Sequence, residues 1–299
     1  IDAIKGKDKM NIFVLHPNNR VSLVQRKLMT TVKDKNVFNI AIDGNFDDCQ
    51  NLVKSMFADN EFSNSINMSA VNSINWVRIV AQTVYYFFSY FQVCQLNEKI
   101  NFSVPTGNFG NVLAGYYARR MGLPIDKLVV GTNENDILHR FFCNGEYKQT
   151  EVKETLSPSM DIQISSNFER YLFELAGRSS EQLQSWMDDF ESNGKLAFGN
   201  DLLKKAQNDF VSALVNDEEI LEMVGRFNQE NEYLLDPHTA VGVRAAEKND
   251  IQTPVICLAC AHPAKFGNAI RKALGSEPEL PDELSKLTNL ETCSKTVAA

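Results

Sequence analysis

The sequence predicts an α/β protein with open, mostly parallel sheets covered by helices. Two observations carry this. Short continuous apolar runs alternate with helix-periodic segments, the rhythm of strands buried beneath crossover helices. A glycine-bearing turn also joins one such run directly to a helix, as in strand–loop–helix units whose ligands sit at strand carboxyl ends.

The elements follow in order. Ile12-Phe13-Val14-Leu15 reads as the first strand, closed by the turn cluster His16-Pro17-Asn18-Asn19. Ser22 is placed to cap a helix to about Val32, and 37–42 reads as a second strand. Asp47 or Asp48 then opens a helix to about Phe57. A cap-rich turn at 72–75 precedes a long aromatic helix ending near Leu96. Its uncharged stretch, 79–94, falls short of the roughly 20 residues a spanning helix needs. It is therefore read as a buried core helix, with Tyr85, Tyr86, Phe87, Phe88, Tyr90 and Phe91 as core packing. Strands at 100–104 and 127–130 flank a helix at 111–121. Helical periodicity dominates 167–177, 181–192, 202–215 and 217–229. A last strand at 254–259 and a helix at 263–274 precede a peripheral tail. The expected organisation is a partial N-terminal and small α/β region (1–98), a large α/β domain (99–275) with a helical insertion at about 165–231, and the tail (276–299).

Composition narrows the function. The chain has 299 residues, 43% apolar and 23% charged, with a net charge of -8, and lacks the basic surface a general nucleic-acid binder needs. No apolar segment suits a membrane span, and the lysine-bearing start is not followed by a signal-peptide cleavage site. Six cysteines in so long a chain do not make a disulfide scaffold, and cytoplasm is the expected location. Cys257-Leu258-Ala259-Cys260 has C-x-x-C spacing but no second pair; buried free thiols are expected there, and no metal is assigned.

The main chemical signal is Val104-Pro105-Thr106-Gly107-Asn108-Phe109-Gly110-Asn111, between an apolar strand and a helix. Two glycines let the backbone approach a ligand, and the helix start adds free N–H groups and a positive dipole end. Gly115 permits close helix–sheet contact. A plain structural turn is the alternative reading. With neither a Gly-Lys-Ser/Thr nor a G-x-G-x-x-G pattern, a single phosphate on a small cofactor fits better than a nucleotide. Asn72 and Ser73 with Arg78 one turn later can form a compact oxyanion site, or can cap the helix while Arg78 pairs with an acid. Thr239 follows a Pro-bearing turn and by itself reads as a helix N-cap.

These residues resemble the threonine synthases, a family of fold-type II (tryptophan synthase β-like) pyridoxal-phosphate (PLP) enzymes. The likeness runs through 105–111, 21–32, 46–50, 72–76, 157–170, Asp236-Pro237-His238-Thr239-Ala240-Val241-Gly242 and 261–266. The resemblance implies that Gly107, Asn108, Phe109, Gly110 and Asn111 hold the PLP phosphate and that the Thr239 hydroxyl meets the pyridine nitrogen. A neutral hydroxyl favours an unprotonated nitrogen, where an aspartate would stabilise the pyridinium. Asn72, Ser73 and Arg78 would grip the phosphate of O-phospho-L-homoserine. The implied reaction turns that substrate and water into L-threonine and phosphate. The family's Schiff-base lysine lies in a segment well upstream of everything seen here, and its substrate-carboxylate stretch Ser-Gly-Asp-Thr-Gly is expected just before Ile1; this chain holds neither, so no catalytic residue is nominated and the chain alone is expected to be an inactive piece of the enzyme. The alternatives are a threonine-synthase-like phospho-lyase releasing a 2-oxo acid, and a non-catalytic binding or signalling protein derived by truncation. Either a monomer or a homodimer is compatible.

Overall fold

The computed structural model describes residues 1–44 and 46–298; the side chain of Asp47, one of two expected helix openers, lies outside the described residues. The chain forms two compact units, one of residues 1–69, 262–271 and 276–299, the other of 70–261 and 272–275. These do not coincide with the expected divisions after 98 and 275.

The first unit starts with β1 (Ile12–Pro17), α1 (Leu23–Thr30), β2 (Val37–Asp43), α2 (Phe46–Ala58) and α3 (Asn60–Ser65). Ser22 does cap α1: its hydroxyl accepts from the Gln25 N–H at 3.2 Å, and Gln25 reaches back to the Ser22 N–H at 3.3 Å.

In the second unit α4 (Trp76–Val93) leads into β3 (Ile100–Pro105), α5 (Gly110–Arg120), β4 (Ile125–Thr132), α6 (Ile137–Asn144) and β5 (Glu146–Lys148). A helical stretch follows: α7 (Phe168–Leu175), α8 (Ser180–Asn193), the short β6 (Lys195–Ala197) and α9 (Asn200–Asp209). Then come β7 (Phe210–Leu214), α10 (Asp217–Asn231), α11 (Pro237–Lys248) and β8 (Val255–Cys257). The chain then returns to the first unit with a 3₁₀ turn (Pro263–Phe266) and α12 (Gly267–Leu274), whose last residues count with the second unit, and closes in the first with α13 (Asp282–Thr288) and β9 (Lys295–Ala298).

The main sheet has the order β7-β4-β3-β8, and all three pairings are parallel. Side-chain alternation decides what covers each face. Phe102, in register with Leu128, meets Tyr86 of α4 at 4.8 Å between ring centroids, and Leu128 lies under α5 at Gly115. On the other face, Ser103 Oγ donates to the Gly242 carbonyl of α11 at 2.5 Å, and a Cβ on Gly131 would meet Val241 and Ala245. The sheet is thus sandwiched, and every residue of β3 is buried.

Several expectations need correction. The helix expected over 202–215 stops at Asp209, and 210–214 is β7, because pairing with β4 buries Phe210 and Ala213. The peripheral tail instead contains α13 and β9, and β9 extends the β1-β2 sheet in parallel; Cys293 N–H also donates to the Thr30 carbonyl at 2.6 Å. The aromatic helix is not buried all round. Only Ile79, Thr83, Tyr86 and Tyr90, one face at helical spacing, are buried, while Val77, Val84, Tyr85, Phe88 and Phe91 stand exposed.

Candidate functional site

The glycine-bearing loop sits where β3 ends and α5 begins. Thr106 N–H donates to the Gly131 carbonyl at 2.8 Å, which holds the loop's entry to the neighbouring strand. Phe109 takes a left-handed conformation at φ 61° just before Gly110 and drives its ring into a cluster with Phe168, Tyr171 and Phe210. That aromatic anchor holds the backbone twist that a non-glycine residue adopts at a cost.

The loop carbonyls are tied back. Ser165 Oγ donates to the Gly107 carbonyl at 2.8 Å, and Asn167 gives both its N–H (3.1 Å) and its Nδ2 (3.0 Å) to the Asn108 carbonyl. In a trans peptide the following N–H points opposite to the carbonyl. The N–H groups of Asn108 and Phe109 therefore face away from the 165–167 segment, on a loop that feeds the first turn of α5, whose own N–H groups lack intrahelical acceptors. A Cβ on Gly107 would lie 3.0 Å from the Ser159 carbonyl oxygen and 3.2 Å from Met160 Cα, so only glycine fits there without movement. The turn that faces Gly107 is pinned through Asp161, which accepts from Thr155 Oγ1 at 2.6 Å and from Asn133 Nδ2 at 2.8 Å. Burial raises the Asp161 carboxyl above its usual range, and these hydrogen bonds only partly oppose it.

Thr239 lies in the first turn of α11, but Asp236, not Thr239, is the N-cap; its Oδ1 accepts from the His238 N–H at 3.0 Å. Thr239 Oγ1 donates to Asp236 Oδ2 and accepts from the Cys260 N–H at 3.0 Å. His238, given no special role from the sequence, bridges Asp236 through Nδ1 (3.0 Å) and takes the Ser159 N–H on Nε2 at 3.2 Å. Ser159 thereby connects the start of α11 to the residue facing Gly107. Burial acts to raise the Asp236 carboxyl, but the hydrogen bonds from His238 and Thr239 outweigh it and hold it below the usual range. The two C-x-x-C thiols are free, yet Cys257, at the end of the edge strand β8, is only half-buried, and Cys260, beyond that strand, is exposed.

Asn72 and Arg78 are exposed and Ser73 half-buried, ahead of and within α4. Neither expected cap is the cap: Asn75 accepts from the Val77 N–H, while Asn72 Oδ1 closes a turn onto the Ile74 N–H at 3.2 Å. Arg78 donates to the Val71 carbonyl at 2.7 Å. A Cβ on Gly110 would come within 3.6 Å of Ser73 Cβ, so the structure brings Ser73 to the start of α5. The brace between the two is Arg170, which the sequence did not single out. Its guanidinium donates to the Ser73 carbonyl (2.9 Å), the Ile74 carbonyl (2.7 Å) and Asn167 Oδ1, and lies 5.7 Å from the Trp76 ring. The residues at 165–170 thus hold both candidate anion sites. A separate cavity of about 460 Å³, lined in part by Tyr116, Glu174, Trp186 and Asp209, shares no residue with them.

Comparison with known proteins bears on this arrangement. Residues 239–299 match the family model described as threonine synthase, C-terminal. Over 294 residues, 97% of this chain, the sequence is 47% identical to the threonine synthase of Pseudomonas aeruginosa. Over nearly its whole length the chain is similar to the threonine synthases. A PLP-bound crystal structure of threonine synthase from Brucella melitensis superposes over the whole chain with a TM-score of 0.91 and 44% identity. The human protein named threonine synthase-like 2 is 38% identical over 302 residues, 98% of this chain and 62% of that protein. The chain spans 63% of the length of the Pseudomonas synthase and 64% of the Brucella one. In this chain, Gly107 to Asn111 and Thr239 stand on one network linked by Ser159 and His238, and Ser73 joins it through Arg170. Arg78, facing Val71, makes no bond to that network among those described.

Proposed function

We propose that this chain forms the phosphate-binding part of a PLP-dependent threonine synthase, a cytoplasmic enzyme that converts O-phospho-L-homoserine and water into L-threonine and phosphate. The observation that carries the reading is the loop at 107–111, whose carbonyls are drawn back by Ser165 and Asn167 while its N–H groups and the α5 dipole stay available to an anion. When bound, PLP supplies an electron sink for carbanions formed at the substrate's carbons. Gly107, Asn108, Phe109, Gly110 and Asn111 hold its phosphate, and Thr239 meets its ring nitrogen. Asn72, Ser73 and Arg78 receive the substrate phosphate, Ser73 being braced by Arg170 beside α5. No residue of this chain is assigned the Schiff-base role. The higher identity to the bacterial threonine synthase than to the protein named threonine synthase-like 2 supports the synthase reading.

The test is calorimetric titration with pyridoxamine 5'-phosphate, which needs no Schiff base, against pyridoxamine. The phosphorylated ligand alone should bind, and Gly107→Ala should weaken it about tenfold or more, since overpacking against the Ser159 and Met160 backbone costs about 1–3 kcal/mol. Equal binding of both ligands, or none of either, would sink the reading.

A further inference from the structure

We infer that the cavity among α5, α7, α8 and α9 is a second small-molecule site, whose ligand is a carboxylate carried on a flat apolar body. At about 460 Å³ it has the size of an ordinary ligand pocket. Its walls are largely aromatic, with Tyr116 from α5, Tyr171 from α7 and Trp186 from α8. Tyr171 is only 2% exposed, and what surface it keeps lies on the cavity it lines. Its ring is held by Phe109, Phe168 and Phe210, yet its hydroxyl makes no hydrogen bond among the described residues. An unpaired hydroxyl on so buried a side chain is exceptional, and this one stands where a ligand can take it.

The charges decide the sign of the ligand. Both carboxylates of the wall are already paired. The two oxygens of Glu174 accept from Arg178 at 2.9 Å and 3.1 Å, and Asp209 Oδ1 accepts from Arg119 at 2.5 Å. Lys205, on the α9 wall, has no partner among the described residues. Lys205, Arg119, Arg120 and Arg178 thus stand against Glu174 and Asp209, a surplus of positive charge. The spare hydrogens agree with that sign. Tyr116 accepts from Arg120 at 3.0 Å, which leaves its own hydrogen free. Burial pushes both phenols up, so Tyr116 and Tyr171 keep their hydrogens at neutral pH. Two phenol hydrogens and an ammonium therefore lack an acceptor. A carboxylate supplies two oxygens able to take them all, in charge-assisted bonds; a cationic ligand would add donors where donors are in excess. The shape of its body follows from the walls. Tyr116 and Tyr171 stand edge to face at 5.3 Å, and such ring faces and edges pack best against a flat apolar group.

The experiment is titration of this chain, ¹⁵N-labelled, with 3-phenylpropionate, followed by the indole N–H signal of Trp186, which its loss in Trp186→Phe assigns. That signal should shift to saturation, while the signal of Trp76, which is not on the cavity, stays in place. The amide and the amine that keep the ring, 3-phenylpropionamide and 3-phenylpropylamine, should bind about tenfold more weakly or worse. Tyr171→Phe and Lys205→Met should each weaken 3-phenylpropionate by about tenfold, the scale of one charge-assisted hydrogen bond. Neither change should move the urea midpoint, because the Tyr171 hydroxyl has no bond to lose and Lys205 is exposed, so weaker binding cannot be laid to a lost fold. Equal binding of the acid, amide and amine, wild-type affinity in either variant, or no shift of Trp186 with any of the ligands overturns the inference. None of these outcomes bears on the cofactor reading, since the cavity shares no residue with the 107–111 loop.

Discussion

Replacing Gly115 with alanine isolates the packing that holds the candidate phosphate loop. The added Cβ would stand 2.6 Å from Tyr86 Cε1, 2.7 Å from Tyr86 Cζ and 2.8 Å from Leu128 Cδ2. Carbon atoms in ordinary contact sit about 3.5–4.0 Å apart, so the overlap is roughly 1 Å on two sides. Tyr86 belongs to α4 and Leu128 to β4, so α5 cannot retreat from one without pressing the other. Nor can Tyr86 swing away: it is fully buried, and its hydroxyl donates to the Asn111 carbonyl at 2.8 Å. Such overpacking costs about 3 kcal/mol, near the upper end of its usual range, against a gain of about 1 kcal/mol in helix propensity. The expected net loss is about 2 kcal/mol. Gly225→Ala is the matched control, since its Cβ meets nothing closer than the Ala273 carbonyl oxygen at 3.8 Å within α10 and should stabilise by up to about 1 kcal/mol. Urea unfolding followed by tryptophan fluorescence reads the relevant unit, because both tryptophans, Trp76 and Trp186, lie in it. Because Tyr86 grips Asn111, Gly115→Ala should also weaken pyridoxamine 5'-phosphate. A Gly115→Ala protein as stable as wild type would refute the reasoning.

Three further outcomes are expected. The folded-state pKa of Asp236 lies below its unfolded value of about 3.9, so its contribution to stability is complete above that value and is lost as pH falls through the folded one. Urea midpoints of wild type and Asp236→Asn should therefore converge below about pH 4, and a gap independent of pH would contradict the shift. Arg170→Met strips donors from Asn167, Ser73 and Ile74, and lost hydrogen bonds of a charged group are worth about 1.5–3 kcal/mol each. Amide exchange should rise at both 72–75 and 107–110; a rise at one segment alone would show that Arg170 does not join them. Cys257, pushed up to about 11 by burial and then by Glu247, should react with iodoacetamide at neutral pH much more slowly than a small free thiol. Equal rates would remove that shift.

What could be read from the residues was what neighbouring residues decide. Ser22 with Gln25, the apolar strand 100–105 and the glycine-bearing turn that leads from it into a helix all follow from patterns that a short segment carries with it. The sequence thus determined an α/β chain with a phosphate-like loop at the end of a parallel strand. Other features depend on partners far along the chain. Ser165 reaches Gly107 across 58 residues, and Arg170 reaches Ser73 across 97, so no local pattern marked either as part of the site. The 210–214 segment carries a helical periodicity and still becomes a strand, because β4 offers it a ladder. The apolar run of α4 told how much hydrophobic surface there is, but packing against α5 and β3 decided which stripe is buried. At Thr239 the sequence supplied the hydroxyl; the tertiary structure set it between the Asp236 carboxylate and the Cys260 N–H, the second of these 21 residues away.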